Sequence, residues 1–211
     1  MKMTKVDIVQ KIKSAAKEYK SKLLGKTFLY VYENGSLEVS FRKAEFAHLT
    51  GTERKISAES FFKLAESGKL TAKQIYFTPS HPFDLCKKKV MELENLPKVV
   101  ETEAFVLENI GTKTAVFKFG FTELNFTLCL CEDINASGDK QSDYYLPQSF
   151  RIEDCFDRAS NVYEIQAILE KKNTEKLYNV IRYQDKKKYE LPDTARAKIA
   201  EDVLAKLNLA E

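Results

Sequence analysis

The stretch TFLYVYENGSLEVSFRK, residues 27–43, constrains the fold of this chain more than any other. Phe28, Tyr30 and Tyr32 alternate with other residues before Asn34-Gly35, and Leu37, Val39 and Phe41 alternate after it. A period of two on both sides of Asn-Gly predicts two antiparallel strands joined by a two-residue turn. Just upstream the period is different. Over residues 4–24, Val9, Ile12, Ala16 and Tyr19 recur at helical spacing, Thr4 and Asp7 are spaced as a cap, and Gly25 is placed to stop the helix.

Downstream, residues 57–67 predict a short helix capped by Ser57 and closed by Gly68, and Phe83–Leu96 predicts a second, with Ser80 or His81 near its cap. From 103 the chain turns to strands in EAFVLEN, TAVFKFGF and LNFTLCLCE, the last with Leu124, Phe126, Leu128 and Leu130 on one face. Residues 134–143 form the most polar, turn-rich loop. YYLPQSFRIED and VYEIQAILEKK predict strands, KLYNVIRYQ a strand or a helix, and LPDTARAKIAEDVLAKL a closing helix with Ile199, Val203 and Leu207 down one face. Helices set apart from an antiparallel meander describe an α+β fold, expected as one domain over residues 1–211. In this reading His48 leaves the second hairpin strand at the sheet's edge.

Composition bounds the chemistry. With 34 basic and 31 acidic residues the net charge is +3, too small to name a partner. The N-terminus lacks an apolar signal core and no apolar run reaches the ~18 residues of a membrane helix, so a cytoplasmic protein is expected. The four cysteines, Cys86, Cys129, Cys131 and Cys155, do not make a disulfide framework and are expected to stay reduced. Cys129 and Cys131 share a strand face, but two thiols at that spacing make a poor zinc site. None of the seven glycines belongs to a phosphate-binding loop motif. No metal and no cofactor are expected.

Any chemistry must then rest on isolated polar side chains, and metal-independent RNA cleavage is of that kind. RNA supplies its own 2′-hydroxyl nucleophile, so the protein moves protons and holds charge. In FAHLTG, His48 suits proton transfer, and Thr50 with the Gly51 N–H suits a phosphate oxygen. In YYLPQSFR, Ser149 and Arg151 share a strand face while Phe150 points to the core; the arginine fork suits phosphate and the serine a neighbouring oxygen. Basic residues around the helical insert, Arg42, Lys43, Arg54, Lys55 and Lys69, add to this. His48 also fits a hydrogen-bonded strand-end residue, His81 a turn, Lys87–Lys89 a solvated helix face and Tyr144-Tyr145 sheet packing.

FAHLTG after a helix and hairpin, then LPQSFR, then VYEIQAILEK, resembles the fourth family of phage Barnase–EndoU–colicin E5/D–RelE-like nucleases, from about residue 10 to about 190. The resemblance implies a ribonuclease fold with helices on a four- or five-stranded antiparallel sheet, and RNA, tRNA or mRNA, as substrate. The histidine and glycine of the family's His-Leu-x-Gly pattern fall on His48 and Gly51, and its Pro-x-Ser-Phe on Ser149-Phe150. On this reading His48 takes or delivers the proton and Arg151, with Lys69 or Lys43, stabilises the phosphorane. Ser149 orients an oxygen. Thr50, Gly51 and Tyr145 line the substrate, and Glu45 and Tyr145 are candidates for the second proton carrier. The alternative is an inactive module of a mobile element that binds a host protein or RNA. An immunity partner would be a context for the active enzyme. No membrane partner is expected.

Overall fold

The computed structural model describes residues 3–33, 35–113 and 115–210. Helix α1 (Lys5–Lys22) begins in the expected capping box, with the Thr4 hydroxyl accepting from Asp7 N and the Asp7 carboxylate accepting from Thr4 N. Its Ile8, Val9, Ile12, Ala15, Ala16 and Tyr19 are buried. Strands β1 (Lys26–Tyr32) and β2 (Gly35–Ser40) pair antiparallel from Thr27↔Ser40 to Tyr32↔Gly35. Asn34 of the turn lies outside the described residues, as does Thr114 at the start of TAVFKFGF.

After β2 the chain departs from the sequence reading. Residues Lys43–Leu49 form a helix, α2, so His48 stands in a last helical turn and not at a strand exit. Arg42 at its N-cap offers no side-chain bond, and burial of Phe46, Ala47 and Leu49 holds the helix instead. A two-stranded ribbon follows, β3 (Glu53–Arg54) against β4 (Ile75–Tyr76), flanking helix α3 (Ala58–Glu66) with its Ser57 cap. Helix α4 (Phe83–Glu92) is shorter than expected and is N-capped by Pro82, not Ser80 or His81. It tightens into a 3₁₀ segment, Leu93–Val100, that carries Pro97.

The meander is β5 (Phe105–Gly111), β6 (Val116–Thr122), β7 (Thr127–Ile134) and β8 (Lys140–Arg151), followed by β9 (Asn161–Lys172) and β10 (Val180–Gln184). The 134–143 loop is thus a tight turn, closed by Asn135, whose side-chain oxygen accepts from Ser137 N and Asp139 N. Leu124 leaves its expected face: it is exposed, with φ +82°, while Phe126, Leu128 and Leu130 stay in the core. The sheet has eight strands in the order β1-β2-β8-β7-β6-β5-β9-β10, not four or five, and β2 meets β8 in parallel at Val39↔Tyr145. Because β9 pairs both with β5 and with β1, the sheet closes into a barrel.

The helices cover one face of these strands. Tyr19 meets Phe41, Phe46 and Phe62 edge-on, and Tyr30 stacks on Phe121 with centroids 3.8 Å apart. The other face of β1 and β9, with Leu29, Val31, Ala167 and Leu169, is covered by the C-terminal segment. That segment is not one helix. Helices α5 (Asp193–Arg196) and α6 (Glu201–Leu204) are separated where Ile199 bridges Tyr178 in strand fashion. Ile199, Val203 and Leu207 are nevertheless all buried. Glu38 pins the segment, accepting from the Tyr178 hydroxyl at 2.6 Å and from Lys198. Among the described residues no helix is long and apolar enough to cross a membrane.

Where strands cross closely the packing is tight. A Cβ on Gly120 would fall 2.5 Å from Ile110 Cδ1 and 3.0 Å from the Leu128 carbonyl oxygen. Gly120→Ala is therefore expected to cost about 1–3 kcal/mol by overpacking, read as a lowered urea midpoint at unchanged slope. An unchanged midpoint would mean that the packing of β5 and β7 on β6 has room for the added methyl.

Candidate functional site

The FAHLTG turn is built by α2. With Phe46, Ala47 and Leu49 committed to the core, His48 is left on the exposed side of the last turn. Its pKa lies below the usual histidine value because the ring is partly desolvated and Arg54 lies near, an effect Glu53 opposes. Thr50 does not face solvent. It is fully buried, its hydroxyl donating to Ala47 O at 2.8 Å and bonding the Thr52 hydroxyl at 2.9 Å, so it shapes the turn. Gly51 follows at φ +69°, and a Cβ there would fall 2.7 Å from Lys89 Cδ. The Cys86 thiol donates to Gly51 O at 2.8 Å. Helix α4 therefore lies directly against this turn, in a contact that a larger residue at 51 would spread.

The end of β8 meets α4 as well. Phe150 is fully buried against Phe126, while Ser149 and Arg151 share the other face of the strand. The Ser149 hydroxyl has no hydrogen-bond partner among the described residues. Arg151 donates through Nε to Glu153 at 3.0 Å, and Arg158 binds both oxygens of the same carboxylate. A cleft of about 290 Å³ opens here, lined by Leu85, Lys88, Lys89, Phe150, Arg151, Ile152 and Glu153. Lys89 is half-buried and has no carboxylate partner among the described residues. Its pKa is pulled below the usual lysine value, first by desolvation and then by the Arg151 charge.

The structure thus brings Gly51 and Arg151 to α4, the first against the Lys89 stem and the second onto the cleft that Lys89 lines; His48 and Ser149 stand three and two residues before them in the chain. Tyr145 is six residues from Arg151 along β8, about 20 Å in an extended strand, where it packs edge-on against Phe119. Lys43 starts α2 and Lys69 follows the Gly68 turn; both are exposed. Arg42 is spent on Asp133, a nearly buried carboxylate that it holds below the usual range, helped by Ser142. Glu45 is half-buried beside Arg42 and Asp133, and desolvation raises its pKa. His81 Nδ1 lies 2.8 Å from Glu53 Oε1, at the turn expected of it.

Lys89 was missed because the run Lys87–Lys89 reads as one solvated face. The signal was nevertheless present, since Cys86 and Val90 stand four apart on one face of that helix, and Lys89 stands three after the first. Both are fully buried, which turns Lys89 inward. Among the described residues no group of three or more His, Cys, Asp or Glu side chains is placed to hold a metal ion.

The sequence pattern of a protein family described as phage-Barnase-EndoU-ColicinE5/D-RelE like nuclease4 matches residues 11–187. That span holds both the His48–Gly51 turn and the Ser149–Arg151 strand end. No curated protein and no solved structure matches the chain.

Proposed function

This chain belongs to that nuclease family, and from that premise we propose that it is a metal-independent endoribonuclease that cleaves RNA by attack of the 2′-hydroxyl on the adjacent phosphate. The observation that supports the reading is the meeting of the Gly51 turn and the Arg151 strand end across α4, beside a cleft walled by cations. His48 takes the 2′-hydroxyl proton as general base. Its lowered pKa leaves the ring neutral, and so able to accept, at pH 7. The 2′-oxygen bonds to phosphorus, the bond from phosphorus to the 5′-oxygen breaks, and the departing 5′-oxygen takes a proton from water. A 2′,3′-cyclic phosphate and a free 5′-hydroxyl result.

Arg151 stabilises the charge that develops on the phosphorane. Its Nε is engaged by Glu153, which fixes the plane of the guanidinium and leaves the two terminal nitrogens to face phosphate. The Ser149 hydroxyl, on the same face, orients a phosphate oxygen. The experiment is incubation of the purified protein with labelled tRNA and mRNA in excess EDTA, beside the same RNA carrying 2′-deoxyribose at the cleaved position. Cleavage of the all-ribose strand, blocked by the deoxy substitution, is expected. Cutting that survives the substitution, or that needs a divalent ion, would rule the mechanism out.

A further inference from the structure

Lys89 presents an unsolved charge balance. Its side chain is half-buried, it has no carboxylate partner among the described residues, and it shares a cleft of about 290 Å³ with a second cation, Arg151. Holding a partly desolvated ammonium beside a guanidinium costs stability, because burial removes hydration and the like charge adds repulsion. Its pKa is lowered by just these two causes. The one carboxylate on the cleft wall, Glu153, is already shared between Arg151 and Arg158. Lys88 adds a third cation at the rim.

The surroundings hold Lys89 in this place. Its Cδ occupies the space a Cβ would take on Gly51, so the glycine of the His-Leu-x-Gly turn is the seat of the lysine stem. The Cys86 thiol bonded to the Gly51 carbonyl fixes α4 one turn away. The ammonium is thus fixed between the turn that carries His48 and the strand end that carries Arg151, with no carboxylate of the described residues to balance it.

We propose that Lys89 and Arg151 together form a phosphate-binding subsite and that its ligand is a backbone phosphate of RNA. The identity of the ligand rests on the ribonuclease reading; the subsite does not. Lys89 supplies a point charge to one phosphate oxygen, Arg151 the planar fork to another, and the Gly51 turn keeps the lysine from swinging away. The cost of the unpaired cation in the free protein is offset only when phosphate is bound, a common sign of a binding site held at the expense of stability.

The test is binding, so it needs no turnover. Wild type and Lys89→Gln are titrated with a single-stranded 2′-deoxy oligonucleotide, which the proposed chemistry does not cut, and separately with inorganic phosphate. Oligonucleotide affinity is expected to fall about tenfold or more in Lys89→Gln, and the slope of log affinity against log salt to flatten by about 0.7, the loss of one phosphate contact to a single strand. Lys89→Gln is expected to melt at the same or a higher temperature than wild type, which separates lost binding from lost fold. Lys89→Arg should recover part of the affinity.

Equal affinity and equal slope in the two proteins would overturn the subsite, even if wild type cuts RNA. Lys89-dependent binding by a protein that cuts no RNA would uphold the subsite and sink the ribonuclease reading. Lys89-dependent binding of inorganic phosphate with no binding of oligonucleotide would overturn RNA as the ligand and assign the site to a small phosphorylated molecule.

Discussion

Replacing His48 with alanine is expected to slow RNA cleavage by about 10²–10⁴, the usual contribution of a general base, while leaving stability within about 0.5 kcal/mol because the side chain is exposed. The pH dependence has a definite sign. A base must be unprotonated, so the wild-type rate should fall as acid protonates His48. Because desolvation and Arg54 lower its pKa, that fall is centred below about 6.5, the ordinary histidine value. The rate should be flat from there through neutrality, and the acid limb should vanish in the variant. Single-turnover rates between pH 4.5 and 8 measure this. A loss of less than threefold in folded His48→Ala, or an acid limb that persists without the histidine, would remove His48 from the mechanism.

The second large effect is on the scaffold that carries that histidine. Phe46→Ala is expected to cost about 3–5 kcal/mol, the range for deleting a fully buried phenyl ring. At about 2–4 °C per kcal/mol for a chain of this length, Tm should fall by about 10 °C. Phe46 is the hinge pin of α2: its ring meets Tyr19 at 5.2 Å, Phe62 at 5.3 Å and Phe61 at 6.4 Å, joining the short helix to α1 and α3 at once. A seven-residue helix with no side-chain cap has little stability of its own, so losing this anchor should release the His48 turn before the barrel unfolds. Hydrogen exchange over residues 43–51 in Phe46→Ala, compared with exchange in β1, reads that order directly. A cost below about 1 kcal/mol would mean that α2 is held by something other than this aromatic cluster.

The same helix shows why some of the fold was legible in sequence and some was not. Helix α1 carries its own start signal in Thr4 and Asp7, α3 carries Ser57 and Gly68, and the β1–β2 register follows from alternation about Asn34-Gly35. These are local devices, and local devices can be read. Helix α2 has none, since Arg42 caps nothing and only tertiary burial selects the helix over a continued strand. Barrel closure is equally silent, because the β1–β9 ladder joins Lys26 to Lys172 and no local pattern encodes a pairing at that separation. The C-terminal periodicity was real, but the Tyr178–Ile199 bridge outweighed it and broke the helix in two.

At the candidate site the division is similar. The shared face of Ser149 and Arg151 follows from strand alternation with Phe150 between them. That Gly51 is small for the sake of Lys89 could not be read, because the two are brought together only by the packing of α4 on the turn. Thr50, which looked like a phosphate contact, is drawn inward by the tight turn that ends α2.

Whether this member of a nuclease family cuts RNA through the 2′-hydroxyl with His48 as base is read from the chemistry of the cut ends. Wild type and His48→Ala would be incubated with end-labelled RNA in EDTA and the new termini resolved. Ends carrying 2′,3′-cyclic phosphate and 5′-hydroxyl are expected from wild type, with His48→Ala at least about a hundredfold slower. Ends carrying a 5′-phosphate, or equal cutting by both proteins, would contradict it.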